Sequence, residues 1–441
     1  MLQYYQPDLL FYNGTFHKAF QIGIDDQGYI REIGPAQEKS AIRLKNQALL
    51  PGLCNAHSHA FQRALRGYTQ CRGSKTDSFW TWRKSMYQLV EKLTPEDIYH
   101  ISAICFSEML LSGITTVGEF HYLHHNKNGK AYQNANELGI QVLRAARDMG
   151  IRICLLDVAY ERGGVARFRD SSVNDYLKRI EDLRSEITAN QSLGIAPHSI
   201  RAVSRPWLEN IRDYAKPKGV PLHMHVHEQP KEIEECKREY GEKSPLAVLY
   251  ELGILQEHFT GVHATHTDQE DRKFLQETKS RVCACPTTER DLGDGILDAD
   301  DFHLRKIPIC FGTDSQIVIN LWEEARSLEG HLRLKHIQRN VLSSSVPNDL
   351  FEMATANGAK SLGIAAGKLA IDKYGDFITV DLNHISLIGS NPDNLLTYLL
   401  FSMERGAIQN VYVAGKPVVE NFIHPKLTMH RNFQFPKIVA V

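Results

Sequence analysis

Several things are scarce in this chain of 441 residues, and each scarcity excludes something. No apolar run approaches the roughly 18 residues that a membrane-spanning helix needs. The net charge is only −1, so no strongly basic face is implied and neither nucleic acid nor an anionic membrane is the expected partner. The start, Met1-Leu2-Gln3-Tyr4-Tyr5-Gln6-Pro7, lacks a basic segment leading into an apolar one, which predicts a cytoplasmic protein. There is no Cys-x-x-Cys among the eight cysteines, and only Cys283 and Cys285 are close, as alternate residues of a strand. Reduced, structural thiols are the reading that fits a cytoplasmic chain. Neither a low-complexity tract nor an internal repeat of roughly 20 to 50 residues is present, which argues against a solenoid.

What is present is an alternation of textures. Residues 8–16 form an apolar run broken by Asn13-Gly14, and residues 22–33 form another broken by Asp25-Asp26-Gln27-Gly28; both read as hairpins. From about Ala48, short apolar runs alternate with helical patterns, as in a parallel sheet with crossover helices. The candidate strands are 49–55, 114–120, 151–160, 193–197, 220–226, 259–263, 281–285 and 307–312. Between them, Thr94-Pro95 opens a helix that Ser112-Gly113 closes, residues 245–252 read as helical, and Thr267-Asp268-Gln269-Glu270 reads as a capping box. Eight such units predict an α/β fold, a (β/α)8 TIM-like barrel. After a helical stretch near 348–361 the texture returns to strands at 375–382 and 411–419, the latter turning at Ala414-Gly415-Lys416. The two chain ends are therefore expected to pair into a small β-sandwich, giving a β-domain from 1–52 and 366–441 around a barrel of 53–365. Residues 67–79 lack periodicity and are a candidate active-site loop.

Leu49 to Arg66 carries the feature that orders the rest, an apolar run ending in His57-Ser58-His59. Alternation on a strand turns His57 and His59 to one face, where their imidazoles can meet one cation, and turns Ser58 away. With 20 histidines in the chain an isolated His-x-His arises about once by chance, so the weight falls on clustering. Barrel active sites lie at the C-terminal ends of the strands. There stand His57 and His59 after strand one, His198 after strand four, His225 and Glu228 after strand five, His263 after strand six and Asp314 after strand eight. Three imidazoles and a carboxylate with a position left for water suit zinc and also accept iron. Such an ion brings the pKa of a water toward neutrality. Strand five offers His223, His225 and His227 on one face; His225 is at the depth of the barrel mouth, with Glu228 beside it to move a proton.

Pro51-Gly52 leading to His57-Ser58-His59, the His225-x-x-Glu228 pair, His263 and Asp314 resemble the amidohydrolase superfamily, in particular its deaminase branch with one metal ion. The resemblance implies His57, His59, His225 and Asp314 as ligands, Glu228 as proton shuttle, and His263 with Asp314 activating and orienting the water. Two-metal members carry a bridging lysine at the end of strand four, where this chain has Ala196-Pro197-His198-Ser199, so one Zn2+ per chain is expected, with iron possible. Within that branch, segments 59–63, 80–83, 119–125, 196–203 and 223–229 are similar to the deiminases that act on a formimino derivative of glutamate in histidine degradation. By position, this similarity makes Gln62, Arg83, Tyr122, His198 and Arg201 the substrate-binding residues, and His227 is a departure where that family is expected to have a small residue. A small-molecule dicarboxylate fits the two arginines, because a guanidinium fork binds carboxylate bidentately. A homodimer is the expected assembly. The competing expectations are an aminohydrolase of an aromatic nucleobase or related heterocycle, which would call for stacking rings rather than paired arginines, and an inactive scaffold, which would not need a full ligand set.

Overall fold

The computed structural model describes residues 1–37, 40–70 and 77–437. Eight parallel strands, Leu53–Ser58, Ile114–His121, Arg152–Ala159, Gln191–Pro197, Leu222–Val226, Phe259–His263, Arg281–Ala284 and Ile309–Phe311, hydrogen-bond each to the next in chain order. Most of their residues are buried on both faces, as expected of a sheet ringed by helices. The ring is drawn together between its last and first strands by a parallel bridge of Ser58 with Asp314. There the Asp314 N–H donates to the His57 carbonyl at 3.1 Å and the His59 N–H to the Asp314 carbonyl at 3.1 Å.

The strands of both chain ends form one separate, mixed, eight-stranded sheet. Lys416–Val419, Ile408–Val413, Phe377–Asp381, Ala41–Pro51, Gln3–Tyr12, Phe20–Ile24 and Ile30–Pro35 lie side by side in that order, with Thr15–Lys18 paired to Gln3–Tyr12. Tyr5, Phe377 and Tyr412 share its apolar layer, with Phe377 stacked on Tyr412 at 4.2 Å between ring centres. The expected turns are made as read: Asn13 and Gly14 both take left-handed backbone between Tyr12 and Thr15, and Ala414 and Gly415 do the same between Val413 and Lys416.

Two expectations need correction. Residues 49–55 are not one strand. Ala41–Pro51 ends in the terminal sheet, and Leu53–Ser58 begins the barrel. Gly52 is the crossing point: its N–H donates to the Asp376 carbonyl at 3.0 Å, and a Cβ there would lie 2.2 Å from Thr115 Oγ1, so only glycine fits. The helix expected to start at a Thr267 capping box starts one residue later, as Gln269–Glu277 with Asp268 as cap and a reciprocal bond to Asp271. Thr267 Oγ1 is engaged elsewhere, donating to the Ala264 carbonyl and accepting from Arg272. The helix Pro95–Leu111 is capped by Thr94 with Asp97 as read.

Candidate active site

The first barrel strand delivers His57 and His59 to one place and turns Ser58 out, where its hydroxyl donates to Glu119 at 2.5 Å. Glu119 also accepts the Ala60 N–H at 2.6 Å, fixing the turn after His59. His59 Nδ1 bonds the Phe120 carbonyl at 2.9 Å and His225 Nδ1 bonds the His198 carbonyl at 3.1 Å. A carbonyl only accepts, so each Nδ1 carries the proton and each Nε2 presents a lone pair. His57 Nε2 lies 3.1 Å from His59 Nε2, and Asp314 Oδ1 lies 3.4 Å and 3.2 Å from these two nitrogens. Ligand atoms of His57, His59, His225 and Asp314 all fall within 4.8 Å of one another.

Burial pushes His57 down to about 3 and His225 well below the ordinary histidine range, so both rings are neutral, the form that ligates a cation. Burial alone would raise the Asp314 carboxyl, but its contacts with His57 and His59, and then the charge of His263, hold it well below the carboxylate range. Three imidazoles and one carboxylate, all buried and crowded together, form a donor set able to hold a divalent ion. His223 lies deeper, bonded to the Ser361 carbonyl at 2.9 Å.

His227 does not share the face of His225. The strand ends at Val226, and His227 has φ +55°, which breaks the alternation and sends the ring outward, where its Nε2 accepts the Leu246 N–H. His263 (φ +72°) and Asp314 (φ +45°) are left-handed too, uncommon for residues with a side chain. His263 sits with Nδ1 3.3 Å from Glu289, and with Nε2 3.7 Å from Glu228 Oε1 and 3.8 Å from Asp314 Oδ2. Burial alone would lower its pKa, but the hydrogen bond it donates to Glu289 and the charges of Glu228 and Asp314 hold it up at about 10.

A cavity opens beside the cluster, and His59, Gln62, Arg83, Tyr122, His198, Arg201, His225, Glu228 and Asp314 all line it. His57 and His263 stand behind this wall. Gln62 Nε2 donates to the Tyr122 hydroxyl at 2.8 Å. Burial keeps Tyr122 well above the ordinary phenol range, so its hydroxyl is a neutral hydrogen-bond group. His198 is neutral: burial, then the charges of Arg201 and Arg83, hold it well below the usual value. Arg83 comes from the helix Phe79–Val90 and donates to the Tyr87 hydroxyl. Arg201 pairs with Glu228 Oε2 at 3.3 Å, while its buried Nη1 has no partner. Trp80 stands between the two guanidiniums, 5.6 Å from Arg83 and 5.8 Å from Arg201. Residues 71–76 of the expected active-site loop 67–79 lie outside the described residues; its far end places Phe79 in the cavity wall.

Sequence reasoning passed over several residues of this site. Asp294 is buried, accepts from the Gln229 amide through Oδ1, and has no partner for Oδ2. Burial and then the nearby Glu228 push its carboxyl up to about 9. Set between Gly293 and Gly295, it has the local signature of a turn. Glu289 and Glu232 look like ordinary acids in the first turn of a helix, and both are buried. Arg167 has the sequence context of a surface loop and is 1 % exposed.

Residues 48–418 match the model of the amidohydrolase family. Among curated proteins, the chain is 36 % identical to a formimidoylglutamate deiminase of Pseudomonas aeruginosa, over 92 % of this chain and 91 % of that one. Among solved structures, it superposes on an amidohydrolase from Brucella melitensis with a TM-score of 0.90 and 30 % identity, covering 97 % of both chains. An adenosine deaminase from Xanthomonas campestris, solved with bound zinc, superposes with a TM-score of 0.82 at 21 % identity, covering 95 % of this chain and 93 % of that one, and shares the fold. The chain belongs to the amidohydrolase family and is a hydrolase of C–N bonds.

Proposed function

We propose that the enzyme hydrolyses the formimino C=N bond of N-formimino-L-glutamate, adding water and releasing ammonia and N-formyl-L-glutamate, a step of histidine degradation. The observation that carries this reading is the pair of arginines in the cavity beside the ligand cluster, one of them with a buried, unpartnered Nη1. Burying a guanidinium donor without an acceptor costs on the order of 1 to 3 kcal/mol or more, which an incoming carboxylate relieves. The 36 % identical relative that bears the deiminase name supports the same reading.

His57, His59, His225 and Asp314 would hold one ion per chain, zinc by their chemistry, with iron acceptable. Bound there, the ion supplies Lewis acidity that makes a water ionise near neutral pH. The remaining work belongs to side chains. Glu228 lines the cavity beside His263, on the same wall as Asp314, so it can take a proton from the water and hand it to the departing nitrogen. His263 and Asp314 orient that water. Arg83 and Arg201 hold the two substrate carboxylates, and Gln62, Tyr122 and His198 complete the wall with neutral hydrogen-bonding groups. A homodimer in the cytoplasm belongs to the same reading; among the described residues no helix is long and apolar enough to cross a membrane.

Ammonia release by the metal-loaded enzyme from a panel of formimino amino acids and heterocyclic amines tests the assignment. N-formimino-L-glutamate should be the preferred substrate. Preference for a nucleobase or related heterocycle would overturn the reading and install an aromatic aminohydrolase instead.

A further inference from the structure

The seam between the last and first barrel strands divides the ligand cluster, with His57 and His59 on one side and Asp314 on the other. Among the described residues, the backbones of Ile309–Phe311 and Leu53–Ser58 are joined only by the Ser58–Asp314 bridge that follows the shorter strand. Asp314 and Gln316 both take left-handed backbone, at φ +45° and +64°, uncommon for residues with a side chain, so the turn that carries the carboxylate depends on support from outside. That support is a chain of five buried side chains, Asn55, Thr313, Gln316, Ser58 and Glu119, which leaves the first strand and returns to it across the turn.

Backbone groups set the direction of every bond in the chain. The Thr313 N–H reaches Asn55 Oδ1 at 3.0 Å, which leaves Asn55 Nδ2 to donate to the Thr313 hydroxyl at 2.7 Å. The Asp314 carbonyl can only accept, so it takes Gln316 Nε2 at 2.9 Å and leaves Gln316 Oε1 to accept from the Thr313 hydroxyl at 2.9 Å. The other proton of Gln316 Nε2 goes to Ser58 Oγ at 2.8 Å, and the Ser58 hydroxyl passes its own to Glu119. Both N–H groups and the oxygen of the Gln316 amide are thus engaged. Its backbone carbonyl accepts Arg66 Nε at 3.0 Å, which ties the same turn to the segment that carries Gln62. We propose that Gln316 is a positioning residue for the ion site: its amide fastens the Asp314 turn to Ser58, between the two histidines, and so holds the carboxylate where it can share one ion with His57 and His59. The inference rests on the reading of His57, His59, His225 and Asp314 as ligands.

Two variants separate positioning from mere support of the fold. Gln316→Met keeps the length of the side chain and removes all three of its hydrogen bonds; Ser58→Ala removes the fastening to the first strand and leaves the bonds of Gln316 within its own turn. Titration of the zinc-loaded enzyme with a competing chelator reads the zinc dissociation constant of the folded protein. Gln316→Met should raise it about tenfold to a hundredfold, and Ser58→Ala should raise it by less. If Gln316 only supports the fold, Gln316→Met lowers the denaturant midpoint of the metal-free protein and keeps the zinc affinity of the unmodified enzyme, a result that would overturn the proposal. Should Gln316→Met not fold, Ser58→Ala decides alone, and an unchanged affinity there is equally fatal. Failure of the ligand assignment shows separately: the unmodified enzyme would take up no zinc, or Asp314→Ala would bind it with undiminished affinity, and the role given to Gln316 would fall with it.

Discussion

The two walls of the cavity are built differently. On the ligand side, His57, His59, His225 and Asp314 sit on or directly after barrel strands, and the hydrogen bonds that draw the first and last strands together run through the backbone of the ligands themselves. On the arginine side, Arg83 rides on a helix, Tyr122 on the turn after Ile114–His121, and Arg201 on the turn after Gln191–Pro197. Three peripheral segments are tied together by Arg167. Its guanidinium donates to the carbonyls of Val90 and Leu93 at the end of the Arg83 helix and to that of His125, while its own carbonyl accepts the N–H groups of His124 and His125 at 3.0 Å. Its neighbour Phe168 packs edge-on against Tyr122 at 4.9 Å. On the proposed function, metal retention would be a property of the barrel, whereas recognition would depend on docked outer segments. The two should therefore break separately.

The largest expected effect comes at the seam between the walls. Glu228→Gln keeps the shape of the side chain and removes proton transfer, so kcat should fall at least about a hundredfold. Elemental analysis should still find about one metal ion per chain. Loss of the ion with this substitution would make Glu228 a ligand and merge the two walls, and two tightly held ions in the unmodified enzyme would refute the single-site reading.

A smaller effect is expected from the clasp. Arg167→Met leaves the carbonyls of Val90, Leu93 and His125 without that donor and should destabilise the fold by about 2 kcal/mol. More to the point, KM should rise about tenfold with metal content unchanged, because the Arg83 helix and the Tyr122 turn lose their common tether. Denaturant unfolding and steady-state kinetics on the same preparation separate these outcomes. A variant that loses metal while keeping its KM would show that the clasp serves the ligand wall instead.

The same contrast explains what the sequence made legible. The ligand wall follows from local rules: a period of two places His57 and His59 together, and strand ends mark His225, His263 and Asp314. Where a local rule failed, the cause was a backbone departure. His227 was expected on the face of His225, and its left-handed φ turned it away. Residues 49–55 looked like one apolar run, and the crossing between sheets depends on the approach of Thr115 to Gly52, two strands that are distant in the chain. On the arginine wall, Arg83 and Arg201 were singled out only through family resemblance, since nothing local separates them from solvated arginines. Arg167, Glu232 and Asp294 were missed because burial there is conferred by packing between distant segments, which helix-end acids and a Gly-Asp-Gly turn do not reveal.

The separation of recognition from metal binding is tested most directly by Arg201→Met. The quantity to measure is kcat/KM for N-formimino-L-glutamate relative to formiminoglycine, in unmodified and variant enzyme of equal metal content. The unmodified enzyme should prefer the diacid strongly, and the variant should lose roughly 2 to 4 kcal/mol of transition-state binding on the diacid, collapsing the ratio while the metal stays. Equal rates on the two substrates in the unmodified enzyme, or a ratio that Arg201→Met leaves unchanged, would contradict the account.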